Sequence, residues 1–225
     1  MRGILSFVGL WSLACAALIP EARDADLSVE SRAASTNLTN GNGIVYGSDG
    51  VMIYDASGIL TKGCNTAAIS YCYGMYLSPN ASQNLDTNHL DSPRQRNEFH
   101  FPALTANQSF SYSWKQYLDP TVNGSTHFFY IMQVFGANEQ LPVAALTILK
   151  SNLVIVDSAT PHGTFGPSGK LNYQVTSPSG PIISYSRSGG LATGGGYIKF
   201  GTYRLTFSPN MSPVSTMVGD WKTIN

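Results

Sequence analysis

Charge is scarce in this chain. Only 12% of its 225 residues are charged, and 13 acidic side chains cancel 13 basic ones. Such a balance carries no broad basic face, which argues against a nucleic-acid partner. Helical periodicity is missing as well: no stretch repeats its apolar residues at helical spacing over three turns. No internal repeat of fixed length occurs. Cysteine is down to three residues, Cys15, Cys64 and Cys72. There is no C-x-x-C and no H-x-x-x-H, which argues against a redox-active thiol pair and gives little support to a metal centre. Apolar residues are not scarce. They make up 43% of the chain, which argues against disorder.

The first residues of the chain are its most apolar. Arg2 precedes the run "GILSFVGLWSLACAALI", which contains the small residues Ala14, Ala16 and Ala17. A short positive end, an apolar centre and small residues near a cleavage point read as a secretory signal peptide over 1–17. A membrane anchor is the rival, and the run is short beside the roughly 20 residues a spanning helix needs. No later segment is apolar enough to span. Cys64 and Cys72 then remain as an even pair in an oxidising compartment, with one intramolecular disulfide open to them. Five N-x-S/T sequons, at Asn37, Asn80, Asn107, Asn123 and Asn210, are candidate glycan sites of a secreted protein. Residues 18–43 are small and polar and read as a leader, which leaves 44–225 as the folded domain. The expected protein is secreted, extracellular and monomeric, with no membrane partner.

From Ile44 onward, short runs rich in β-branched and aromatic residues alternate with Gly, Pro, Asn and Ser. They include "GIVYG", "VMIYD", "NEFHFPAL", "SFSYSWKQYL", "HFFYIMQVFG" and "GYIKFGTYRLTF". Many short strands at near-regular spacing predict an all-β fold, a jelly-roll sandwich of two antiparallel sheets.

Three of these strands carry polar side chains in an orderly way. In "RQRNEFHF", strict alternation puts Arg94, Arg96, Glu98 and His100 on one face, either a solvated outer face or the polar wall of a groove. In "HFFYIMQVFG", alternation puts Gln133 with His127, Phe129, Ile131 and Phe135, and Tyr130 with Phe128, Met132 and Val134. Gln133 in so apolar a strand needs a hydrogen-bond partner or a ligand. In "YIKFGTYR", Tyr197, Lys199, Gly201 and Tyr203 share a face, and Gly201 leaves room for a ligand to approach.

Taken in order, these strands resemble polysaccharide lyases of the jelly-roll type. Alginate lyases of that kind carry R-[ST]-E-L, Q-[IV]-H and Y-F-K-A-G-x-Y-N-Q. The matches here are Arg96-Asn97-Glu98-Phe99, Gln133-Val134-Phe135 and Tyr197-Ile198-Lys199-Phe200-Gly201-Thr202-Tyr203-Arg204. Phe135 stands in place of the histidine and Arg204 in place of the asparagine. The K-F-G-x-Y-R ending looks more like glucuronan and heparin lyases of the same fold.

The resemblance implies β-elimination on a polyuronate, with a glucuronan-like β-1,4-glucuronate chain favoured. Gln133 and Arg96 would stabilise the charge developing on the sugar carboxylate. Tyr203 would serve as acid or base, helped by a nearby cation, and His100 is the best placed histidine for a base. Lys199, Glu98, Tyr197 and Arg94 would bind substrate. Tyr112, Trp114 and Tyr117 are candidates for stacking on sugar rings, and His89 and His162 read as exposed loop residues. No cofactor is expected; a structural Ca²⁺ would draw on Asp49, Asp55, Asp86 or Asp91. The alternatives are a carbohydrate-binding jelly roll without turnover and a glycoside hydrolase, which needs two carboxylates where the polar strands offer Glu98 alone.

Overall fold

Strands with one apolar face must bury it, and here two sheets bury theirs against each other. The structure is a computed structural model that describes residues 5–10, 36–37, 41–47, 49–63, 68–106, 108–124, 127–136, 140–150, 152–157, 170–188, 195–207 and 211–224. The strands are β1 (Leu5–Leu10), β2 (Thr36–Asn37), β3 (Gly41–Gly47), β4 (Gly50–Ala56), β5 (Ile59–Lys62), β6 (Cys72–Leu77), β7 (Arg94–His100) and β8 (Ser111–Leu118). They continue with β9 (Phe129–Gly136), β10 (Ala144–Leu149), β11 (Asn152–Asp157), β12 (Lys170–Ser177), β13 (Gly180–Ser188), β14 (Gly196–Leu205) and β15 (Val214–Thr223). The one helical element among the described residues is a 3-10 turn over Thr87–His89.

One sheet runs β13-β12-β1-β8-β15-β6-β5-β2 and the other β11-β10-β9-β14-β7-β4-β3. All these pairings are antiparallel. Strands far apart in sequence lie side by side, as where β14 separates β7 from β9. The chain therefore forms the all-β, jelly-roll-like sandwich that its strand pattern predicts.

Aromatic side chains join the sheets. On β8, alternation turns Tyr112 and Trp114 inward, where Trp114 stacks on Phe200 at 4.6 Å and Tyr112 on Phe101 at 3.7 Å. Tyr73, Phe99 and Trp221 pack around one another at 5.2 to 5.5 Å. Each such ring contributes about 1.5–3 kcal/mol by leaving water. Tyr112 and Trp114 are thus core residues, which corrects their expected role in sugar stacking: apolar area of that size is best used between the sheets.

Polar residues also cross the interior. Arg204 is 4% exposed. It donates to Gln95 Oε1 at 2.8 Å and to the carbonyls of Ser78 and Ser212 at 2.7 Å each. Burial brings its pKa down to about 10. Gln95 in turn donates to the carbonyls of Ser78, Asn80 and Gln83, fastening the segment after β6 beneath β7.

β15 crosses the middle of its sheet, yet its sequence hides it. Its register against β8 shifts between Gly219 and Lys222. Asp220 there takes φ +49°, and a Cβ on Gly219 would lie 1.6 Å from the Tyr71 carbonyl. The Asp220 carboxylate accepts from the Ser70 and Tyr71 amides and from Lys115. β1, inside the segment read as a signal peptide, runs between β8 and β12. β3 begins at Gly41, three residues before the expected domain start.

Candidate active site

β14 lies between β9 and β7, so side chains on its face away from the core meet those of both neighbours. Register arranges them in rows. Lys199 stands opposite Gln133 on β9 and His100 on β7. Two residues on, Gly201 stands opposite Glu98, which faces Asp55 on β4. Two further, Tyr203 stands opposite Arg96 and Tyr130. Tyr197 pairs with Phe135 at one end, and Arg94 faces Leu205 at the other. All eight residues expected to act on substrate therefore share one face.

Arg96 and Glu98 are not a solvated surface pair. They are 7% and 2% exposed. Arg96 donates to Asp55 at 2.5 Å and to Asp86 at 2.8 Å, and its Nε lies 3.7 Å from Glu98. The guanidinium also lies over the Tyr203 ring, 4.4 Å from its centre. Burial works against the charge of Arg96, but Glu98, Asp55 and Asp86 outweigh it and hold its pKa above the ordinary arginine value. Gln133, 2% exposed, donates to the other oxygen of Glu98 at 2.5 Å. Glu98 thus links the Lys199 row to the Tyr203 row. Its own pKa is raised, because burial outweighs Lys199, Arg96 and the Gln133 hydrogen bond.

The other groups are less enclosed. Arg94 donates to Tyr203 Oη at 2.7 Å. Lys199 Nζ lies 5.7 Å from the Phe135 ring centre and 6.0 Å from that of Tyr197; those two rings stack at 5.3 Å. His100, half-buried, has its ring 5.6 Å from that of Tyr197, and its Nδ1 meets the Phe101 carbonyl at 3.2 Å. Burial lowers its pKa, the Phe101 carbonyl opposes this, and Lys199 lowers it further, with a net downward shift.

Four residues join the site without having been expected there. Asp55 is legible in retrospect, since it sits at a regular alternation in "VMIYD". Asp86 comes from the loop before β7, where it caps the 3-10 turn and also bonds His89 at 2.9 Å. No sequence spacing announces it. His89 is accordingly a half-buried partner of Asp86 rather than a free loop residue.

Tyr130 and Phe128 arrive through a correction to β9. Ile131 and Met132 both belong to the core, which strict alternation forbids. The register of β9 shifts here against both β10 and β14. Thr147 closes the irregularity, its hydroxyl bonded to the amide and carbonyl of Phe129. The extra residue turns Tyr130 toward Tyr203 instead of the core, with ring centres 6.4 Å apart. Phe128 stacks on Tyr130 at 5.0 Å.

Gly201 needs a different account from the expected one. It adopts φ +135°, and a Cβ would fall 2.3 Å from the Asn97 carbonyl oxygen. The glycine admits the backbone of β7, not a ligand.

His127 precedes β9 and stacks on Phe207 at 4.6 Å, outside the cluster. Asn80 and Asn123 are exposed and Asn37 is in β2; Asn107, Asn210, His162 and Cys64 lie outside the described residues, and so does the expected pairing of Cys64 with buried Cys72. Asp49 and Asp91 are exposed, Asp49 accepting from the Thr223 amide. Among the described residues no group of three His, Cys, Asp or Glu forms a metal site, and no helix is long and apolar enough to cross a membrane. No known family, curated protein or solved structure matches this chain.

Proposed function

We propose that the protein is a secreted polysaccharide lyase that cleaves a polyuronate, glucuronan-like chains first, by β-elimination. One observation carries the reading. An amide, an ammonium and an imidazole stand side by side as Gln133, Lys199 and His100, with the phenol of Tyr203 two alternate positions down the same strand face.

The sugar carboxylate enters beside Lys199 and the second N–H of Gln133. Both meet the negative charge that grows on the carboxylate as the C5–H bond breaks. His100, kept neutral at pH 7 by its lowered pKa, accepts the C5 proton. The freed electron pair forms the C4–C5 double bond while the C4–O bond breaks, and Tyr203 returns a proton to the leaving oxygen. Arg96, held by three carboxylates and lying over the Tyr203 ring, orients that phenol.

A second reading has one observation in its favour. Asp55 faces Glu98, the carboxylate pair that a glycoside hydrolase requires. Both carboxylates are committed to Arg96, which favours elimination.

Incubation with glucuronan, alginate, heparin-type chains and pectate separates the readings. Elimination yields ultraviolet absorbance from the unsaturated uronate. Reducing ends without that absorbance indicate a hydrolase, and binding without either indicates a non-catalytic module. Tyr203→Phe is expected to lower turnover by about 10²–10⁴-fold while the circular dichroism spectrum stays unchanged. Full turnover by this variant would remove the phenol from the mechanism.

A further inference from the structure

The three cations of the site are partnered unequally. Arg96 is ion-paired with three carboxylates, Asp55, Asp86 and Glu98, although its Nε is buried without a hydrogen bond. Among the described residues, neither Arg94 nor Lys199 has a carboxylate within ion-pair distance. A half-buried guanidinium without a counter-ion is unfavourable unless a ligand supplies one. Arg94 is such a group. Its carbon lies 5.6 Å from the Phe128 ring centre and 5.9 Å from that of Tyr203, one amino group donates to Tyr203 Oη, and its Nε is buried with no hydrogen-bond partner. Lys199 repeats the arrangement at the other end, a cation beside the stacked rings of Phe135 and Tyr197.

We propose that Arg94, with the rings of Phe128 and Tyr130, forms a second acid-group subsite on the far side of Tyr203 from Lys199. The ligand is a linear acidic polysaccharide lying along β14, with acid groups on at least two different sugar units. Arg94 faces Leu205, six residues along β14 from Lys199, which sets the two about 20 Å apart. That exceeds the length of one sugar ring, so the two cations address different units. Planar guanidinium geometry suits a carboxylate, and the aromatic rings beside it offer flat surfaces to the apolar faces of sugars. Arg96 makes no contact with the ligand. This assignment rests on the polyuronate reading and adds to it the requirement for acid groups on both sides of the bond broken.

The test compares wild type, Arg94→Met, Arg94→Lys and Lys199→Met. Affinity electrophoresis measures each against glucuronan, carboxyl-reduced glucuronan and free glucuronate, with thermal melts as a check on folding. Arg94→Met is expected to weaken glucuronan binding about 10–100-fold, the loss of one charge-assisted pair. Lys199→Met is expected to do the same. Arg94→Lys keeps the charge without the planar fork and falls between. For wild type, the neutral polymer and the single sugar bind at least as weakly as glucuronan binds to Arg94→Met. The subsite is overturned if a folded Arg94→Met or Arg94→Lys binds glucuronan as wild type does, if carboxyl reduction changes nothing, or if wild type fails to bind glucuronan. Turnover is read separately. Arg94-dependent binding without an unsaturated product sinks the lyase reading alone, and turnover indifferent to Arg94 sinks the subsite alone.

Discussion

His100 shares its strand face with two arginines and a glutamate, and its surroundings set its charge. Burial, and then Lys199, push its pKa below 6.5, the ordinary value. The unfolded chain therefore takes up this proton at higher pH than the folded one does. The stability tied to the neutral imidazole is complete above the unfolded pKa and is lost as pH falls through the lowered folded one. His100→Gln is expected to remove that acid-side loss, seen as a smaller fall in melting temperature between neutral and mildly acidic pH than in wild type. On the proposed mechanism, wild-type turnover falls only below the ordinary histidine range, and the variant loses turnover at every pH. An unchanged pH profile in the variant would exclude His100 as the base. Alternation made Arg96, Glu98 and His100 legible together. The partners of Arg96 were less so: Asp55 waited on strand pairing, and Asp86 on a loop whose path no local pattern encodes.

A strand can also be misread in its middle. Strict alternation sends Tyr130 into the core, and one register shift in β9 sends it to Tyr203 instead. Thr147 on β10 holds that shift, so Thr147→Val is expected to cost about 1–3 kcal/mol through the unpaired Phe129 groups. Denaturant unfolding measures the cost, and no change would mean that the shift closes unaided. Gly201 on β14 is the more severe position. Alanine there meets both a left-handed backbone and the Asn97 carbonyl, for an expected loss of at least about 2 kcal/mol by the same measurement. β15 is hard to read as a strand for a related reason: its glycine, positive-φ aspartate and exposed lysine break the pattern that marks one. Tertiary contacts to Tyr71 and Lys115 supply what local preference does not.

Across the whole molecule, the net charge is zero, and the expected attraction for a polyanion comes from a few cations gathered on one sheet face. Binding to an acidic polymer should therefore weaken as salt rises, as screening of a local cluster requires. The N-terminal segment raises a separate question. Residues 5–10 pair with β8 and β12, and the same residues read as part of a secretory signal. A chain starting at residue 18 is expected to fold with the β7–β14–β9 face unchanged. Amide exchange should quicken in β8 and β12, whose facing edges lose their partner. Loss of cooperative unfolding in that chain would show that the segment belongs to the mature fold.

Period-two alternation is a property of the backbone, so the sequence alone determined that the chain is all β and which polar side chains of β7 and β14 share a face. Three things it left to the tertiary structure: which strands became neighbours, where β9 slips by one residue, and which loop carboxylate reaches Arg96. Each depends on contacts between residues far apart in the chain. Local preference does not reach across such distances, and only packing two sheets on one aromatic core selects among the arrangements.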